Sequence, residues 1–251
     1  MYKAHMCKID RKHTEVVCRH QMALAARFTE DFITEIGLDE AGRGSFWGPL
    51  TAGAVVIPLE CTEEQQLLVA QLRDSKKISP KKRVTLAQKI REQLPSVAVG
   101  MVHAAEINEH GIQWANIEAF RRAIAGLSLV DVSTCRLLVD GTLPVDTWMG
   151  EQHVIVEGDN QYMAIAAASI LAKVSHDQWI EEYAEMNPAC QEQYDIVHSK
   201  GYGTAKHRAA IQLYGGHELH RDAFIQNWLP GVDQATRVKK SKKKEGCLIR
   251  F

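Results

Sequence analysis

Three acidic positions in the chain share one local pattern. Asp39 and Glu40 follow Ile36-Gly37-Leu38, Asp140 closes Leu137-Leu138-Val139 and precedes Gly141, and Asp159 follows Val154-Ile155-Val156-Glu157-Gly158. Short apolar runs read as buried strands, and in α/β sheets active sites gather where strand ends converge. Four carboxylates meeting there would repel one another unless cations neutralised them, and hard oxygen ligands suit Mg²⁺ or Mn²⁺. A pair of such ions ~4 Å apart can activate a water and stabilise the leaving 3′ oxygen during in-line attack on a phosphodiester. The pattern therefore points to metal-dependent phosphodiester hydrolysis. Taken singly, each acid also has a plain structural role: Asp39 and Glu40 as turn residues, Asp140-Gly141 as a turn pair, Asp159 as the N-cap of a helix. The repeated placement is what favours a site.

The elements that must position these acids can be read from the same chain. Ile33 to Leu38 and Pro49 to Ile57 read as two strands joined through Asp39-Glu40-Ala41-Gly42-Arg43-Gly44, a stretch rich in turn-permitting residues. The spacing predicts a helix from Pro80 to about Gln93 with Ser79 as N-cap, a strand over Val97–Val102 and a helix over Ala104–Leu127. Strands follow at Arg136–Asp140 and His153–Val156, then an Ala-rich helix from Ala164 to about Tyr183. Strands followed by alternating helices and strands give an α/β fold. We expect an N-terminal extension over 1–32, one catalytic domain over 33–230 and a basic tail over 231–251.

Composition bounds the partners. Hydrophobic residues make up 45% of the 251 and charged residues 24%, as in a packed globular protein. The net charge of -1 is uneven. Arg237, Lys239, Lys240, Lys242, Lys243, Lys244 and Arg250 face only Glu245 at the C-terminal end, so the first 236 residues carry a net of -7. A nucleic-acid ligand must then be held by local basic contacts, bound cations or the tail. Cys7, Cys18, Cys61, Cys135, Cys190 and Cys247 are scattered without a C-x-x-C pair, which argues for reduced thiols and against a structural zinc site. No apolar run approaches the ~20 residues that span a bilayer, and Lys8, Asp10, Arg11, Lys12 and His13 interrupt any signal-type core. A cytoplasmic location is expected.

Further motifs give the chain a family resemblance. Gly37-Leu38-Asp39-Glu40-Ala41-Gly42-Arg43-Gly44 resembles the opening signature of ribonuclease HII, the type 2 ribonuclease H family. Asp74-Ser75-Lys76-Lys77-Ile78-Ser79, Leu138-Val139-Asp140-Gly141, Glu157-Gly158-Asp159 and Ala167-Ala168-Ser169-Ile170-Leu171-Ala172-Lys173-Val174 follow in family order. Lys200-Gly201-Tyr202-Gly203-Thr204 with His207, then His220-Arg221 with Phe224, complete seven elements over about residues 33 to 225. The resemblance implies a ribonuclease H-like fold, a mixed central sheet flanked by helices with a helical C-terminal region. It implies hydrolysis of the RNA strand of RNA–DNA hybrids, and nicking 5′ of ribonucleotides embedded in duplex DNA to leave 3′-hydroxyl and 5′-phosphate ends, in support of ribonucleotide removal. Carried over by motif, Asp39, Glu40, Asp140 and Asp159 are the metal-binding catalytic carboxylates. Gly42, Arg43 and Gly44 form the loop that reads the 2′-hydroxyl, the group that distinguishes RNA from DNA. Tyr202 stacks on the next sugar, and Lys76 contacts the phosphate backbone.

The chain departs from the family pattern in places. Glu157 stands where Lys is usual before Gly-Asp, adding negative charge beside Asp159; His176 stands where Arg often precedes Asp177; Phe46 and Trp47 are bulky after the loop and read as packing residues. Asp177 competes with Asp159 for the fourth carboxylate, but 18 residues of helix would separate them by about 27 Å, and the strand end favours Asp159. Gly42-x-Gly44-x-x-x-Gly48 is one residue too long for a dinucleotide loop, and His217-x-x-His220 lacks Cys partners for zinc. A resolvase or transposase would also use clustered acids but lacks the Gly-Arg-Gly, Asp-Ser-Lys-Lys and Lys-Gly-Tyr-Gly-Thr segments. The type 3 ribonuclease H carries a sizeable N-terminal substrate domain, for which 32 residues are too few. A catalytically silent nucleic-acid-binding module would have no need of all four acids. The tail reads as a solvated end, with Cys247-Leu248-Ile249-Arg250-Phe251 as a segment able to dock on a sliding clamp.

Overall fold

A computed structural model describes residues 24–72, 75, 78–128 and 131–232 of the chain. The apolar runs form a five-stranded sheet: β1 (Glu35–Ala41), β2 (Leu50–Val56), β3 (Ser96–Val102), β4 (Arg136–Asp140) and β5 (Gln152–Ile155). Their order is β3-β2-β1-β4-β5. β1 to β3 form an antiparallel meander, while β4 and β5 run parallel to β1. The sheet is mixed, as expected. β1 starts later and runs further than its apolar run suggested, because Asp39, Glu40 and Ala41 still pair with Gly53, Ala52 and Thr51. Asp39 and Glu40 are thus strand residues, and the turn begins at Gly42.

Helices cover both faces. They are α1 (Glu63–Val69), α2 (Pro80–Gln93), α3 (Ala104–His110), α4 (Ile112–Ala125), α5 (Met163–Met186), α6 (Pro188–Tyr194), α7 (Ile196–Ser199), α8 (Ala205–Tyr214) and α9 (Asp222–Ile225). The single helix expected over 104–127 is broken at Gly111, whose φ of 85° lies in the region that favours glycine. The short α1 was not anticipated, although Thr62 and Gln65 form a reciprocal capping box at its start. Ser79 does precede α2, but its side chain makes no capping hydrogen bond. Among the described residues, no helix is long and apolar enough to cross a membrane.

Helix α5 carries the architecture. From Ala164 to Ala172 every residue is buried, the mark of a helix enclosed on all sides. The alanines let it lie close on the sheet. A Cβ at Gly37 on β1 would come within 2.2 Å of the Ala164 carbonyl carbon, and one at Gly53 on β2 within 2.3 Å of the Ala168 oxygen. Ala166 to Ala168, Ile170, Leu171 and Val174 pack with Leu86, Ala87 and Ile90 of α2. On the opposite face Phe120 and Ala123 of α4 meet Leu38, Leu50, Leu137 and Val139. A third cluster, Trp47, Ile180, Tyr194, Ile196, Ile211 and Ile225, joins the far half of α5 to the C-terminal helices. Each fully buried Leu or Ile contributes about 1.5–3 kcal/mol.

The segment before β1 docks on the sheet at the end remote from the acids. The Phe28 and Thr29 N–H groups donate to the Glu35 carboxylate, and Ala25 bridges to Tyr162. Arg136, at the start of β4, is almost wholly buried and pairs with Asp31 at 2.7 Å and Glu35 at 3.0 Å, with Glu151 2.9 Å from its Nε.

Candidate active site

The parallel register of β1 and β4 pairs Leu38 with Val139, so Asp39 and Asp140 follow side by side where the pairing of the two strands stops, at the last residue of β4 and two residues before the end of β1. Asp39 is buried, and burial, then Asp140, then Glu40 push its carboxyl well above the usual carboxylate range. Glu40 is also raised, by burial and by Asp140, against the pull of the Arg43 guanidinium 3.5 Å away. Asp39 Oδ1 accepts the Glu40 backbone N–H at 2.7 Å, and Ser169 of α5 hydrogen-bonds its side chain. Ser169 Oγ lies 2.9 Å from Ser75 Oγ, which ties α5 to the start of the segment that carries Lys76.

A turn after β5 carries Asp159. After β5, Glu157 adopts a left-handed conformation with φ of 54°, and Gly158–Asn160 form a short 3-10 turn ahead of α5. The Gly158 N–H donates to Asp140 Oδ1 at 2.7 Å, and Asp159 beside it is buried. Asp177 sits further along α5, beside Lys173 and His176. Although burial alone raises its pKa, hydrogen bonds from His176 and Lys173 bring it below the usual range. Among the described residues, no group of three or more His, Cys, Asp or Glu side chains is placed to hold a metal ion. The donor set nonetheless suits one. Buried carboxylates that raise one another's pKa gain most from a hard divalent cation.

The loop after β1 is held tightly. Gly42 has φ of 79°, and a Cβ there would meet the His176 ring at 2.3 Å, so the position requires glycine. His176 is buried and neutral by desolvation; Asp177 takes one of its nitrogens at 3.1 Å, and the other lies 3.3 Å from Ser45 Oγ. The Phe46 and Trp47 N–H groups donate to the Gly201 carbonyl, and Ser45 bridges to Tyr202. Tyr202 thereby stands next to Gly44, with Lys173 Nζ 5.4 Å from the centre of its ring. Gly42, Arg43, Gly44 and Tyr202 are brought together; Lys76 lies outside the described residues. Phe46 and Trp47 pack as expected, with Trp47 fully buried.

Two features around this loop have roles that their sequence motifs do not reveal. One is Arg221, buried behind it. The other is a histidine chain whose hydrogen placement is dictated by its ends. The His217 N–H donates to His220 Nδ1 at 2.8 Å, so His220 Nε2 carries the proton and donates to His207 Nε2 at 3.0 Å. His207 Nδ1 is then the donor to the Tyr202 carbonyl at 3.0 Å. Burial lowers the pKa of His207, and burial with the neighbouring His207 and His217 pushes His220 down to about 3.

Acid should therefore loosen the base of Tyr202. A histidine depressed in the folded state contributes stability that is full above the unfolded pKa near 6.5 and is lost as pH falls toward the folded value. For His220 the loss by pH 5 is about 2 kcal/mol. His217, Tyr194, Cys190, Glu218 and Asp195 surround the pair. Measuring unfolding free energy at pH 7.5 and 5 for the wild type and His220→Gln isolates the effect: the gap between them should narrow by that amount in acid. A constant gap would show that His220 is not held neutral.

With this geometry in place, comparison with known proteins is decisive. A model of the family described as Ribonuclease HII matches residues 36–227. The chain belongs to the ribonuclease HII family. Ribonuclease HII of Prochlorococcus marinus is 44% identical over 193 residues, covering 76% of this chain and 96% of the relative. In solved structures the fold recurs at lower identity. Ribonuclease H2 of Pyrococcus horikoshii OT3 has a TM-score of 0.62 at 24% identity, over 78% of this chain and 97% of that one. RNase HII in the complex with PCNA from Archaeoglobus fulgidus has a TM-score of 0.60 at 24% identity, over 75% and 94%. The chain is thus a ribonuclease H enzyme with the ribonuclease H-like fold expected from its sequence.

Proposed function

We propose that the protein is an endonuclease that hydrolyses the RNA strand of RNA–DNA hybrids and nicks duplex DNA on the 5′ side of embedded ribonucleotides, leaving 3′-hydroxyl and 5′-phosphate ends. The observation that carries this reading is the adjacency of two assemblies: the acids of β1 and β4, and the Gly42-Arg43-Gly44 loop bridged to Tyr202. In it Asp39, Glu40, Asp140 and Asp159 hold Mg²⁺ or Mn²⁺, which when bound supplies water activation and neutralises charge on the phosphate. The loop reads the 2′-hydroxyl, Tyr202 packs on the following deoxyribose, and Lys76 takes a backbone phosphate. Glu40 paired with Arg43 couples the two assemblies. Ribonucleotide removal from DNA in the cytoplasm is the corresponding role, carried out by a catalytic domain over 33–230.

A product map tests the reading: a duplex with one ribonucleotide, a long hybrid and an all-DNA control, each with Mg²⁺ and with Mn²⁺. Cleavage of all three, or of none, sinks it. The same assay assigns the fourth carboxylate. Asp159→Asn should abolish cleavage, whereas Asp177→Asn, which breaks contacts with Lys173 and His176, should act on stability or substrate affinity; the reverse pattern would move the site along α5.

Residues 231–251 are read as a basic, solvated tail with an end able to dock on a sliding clamp, and nearly all of it lies outside the described residues. The RNase HII of Archaeoglobus fulgidus seen in complex with PCNA fits a clamp as partner.

A further inference from the structure

Arg221 is fully buried, yet among the described residues it pairs with no carboxylate. Its guanidinium is spent on backbone carbonyls of a segment almost 180 positions earlier. Nη1 donates to the Gly42 oxygen at 2.7 Å and the Arg43 oxygen at 3.1 Å, while Nε and Nη2 donate to the Gly48 oxygen at 3.1 and 3.0 Å. Its own N–H donates to the Phe46 oxygen. One planar cation therefore gathers three carbonyls of the loop that follows β1. A buried charge so placed is costly unless its hydrogen bonds are complete. Burial lowers its pKa to about 10, which leaves it charged at neutral pH.

The consequence follows from peptide geometry. In a trans peptide the C=O of one residue and the N–H of the next point in opposite directions. Drawing the Gly42 and Arg43 carbonyls inward turns the N–H groups of Arg43 and Gly44 outward. Among the described residues neither of these N–H groups has an acceptor. The guanidinium lies at the negative end of both peptide dipoles, which strengthens their N–H ends as donors. We propose that Arg221 is a positioning residue for ribonucleotide recognition, presetting the Arg43 and Gly44 N–H groups as a pair of donors aimed at an oxygen acceptor on the substrate sugar. This rests on the reading of the loop as the 2′-hydroxyl reader. Lysine cannot replace it, because a single ammonium cannot span three carbonyls in one plane.

The test compares wild type with Arg221→Lys in two measurements. The first is the ratio of Kd for an all-DNA duplex to Kd for the same duplex with one ribonucleotide, with Ca²⁺ present to hold substrate without turnover. Losing aimed donors should cut this ratio about 10-fold or more. A merely structural role weakens both affinities equally and leaves the ratio unchanged, which would overturn the proposal. The second is the amide spectrum of protein labelled with ¹⁵N at Gly and Arg, without substrate. The Gly44 and Arg43 signals should move and their exchange with solvent should change; unaltered signals would overturn the preset pair. If the wild-type ratio itself is near unity, the 2′-hydroxyl reading fails, and the amide spectra still decide what Arg221 does to the loop.

Discussion

Asp39→Asn should abolish cleavage and, in metal-free buffer, raise the melting temperature. The two effects share one cause. Asp39 is buried beside Asp140 and Glu40, and its folded pKa is raised above the 3.8 of a free carboxyl. Between those values the folded state binds more protons than the unfolded state, so ionised Asp39 costs stability at neutral pH, and the cost fades as pH falls through the raised value. Asparagine keeps the oxygen that accepts the Glu40 N–H and removes the charge. It also removes one of the proposed hard ligands, and the loss of several kcal/mol of transition-state stabilisation is a fall in kcat of about 10³-fold or more. Melting curves with EDTA and single-turnover assays with Mg²⁺ check both halves. An inactive variant that melts lower than wild type would mean that Asp39 is structural, and an active one would remove it from the site.

Gly53→Ala should be among the most destabilising single substitutions in the chain, with Gly37→Ala close behind. In each case the added methyl would strike backbone of α5, at 2.3 Å for Gly53 and 2.2 Å for Gly37. Overpacking against side chains costs about 1–3 kcal/mol, occasionally more, because rotamers give way. Backbone inside a buried helix has no rotamer to change, so a cost of about 3 kcal/mol or more is expected, a large part of the 5–15 kcal/mol that holds a typical domain. Urea titration measures it. A loss below about 1 kcal/mol would show that α5 can shift bodily off the sheet.

The strands and the long helices were legible because their signals are local. The runs at 36–38, 137–139 and 164–172 state their burial in their composition, and acids at the ends of such runs announce themselves. The break at Gly111 was not legible, since a lone glycine inside a helical pattern is tolerated more often than it ends the helix. Nor was the extent of β1. Asp39 and Glu40 look like turn residues until Gly53 and Ala52 are seen to pair with them. The purpose of Arg221 and of the histidine chain was hidden for a stronger reason: His220-Arg221 reads as a motif but shows nothing of its role until the C-terminal helices return it beneath the loop at 42–48. Contacts that close over such distances leave no periodicity to read.

Arg136 bears on how this enzyme can be cut down. The family match begins at Ile36, and a fragment started there would hold every family motif. It would discard Glu35 and Asp31, two of the three acids around a cation that is only 3% exposed, along with the N–H groups of Phe28 and Thr29 that Glu35 accepts. The stranded charge would sit at the foot of the strand whose other end carries Asp140. Boundaries drawn from the family match and boundaries drawn from charge neutrality differ here by about ten residues, and a minimal nuclease should respect the second.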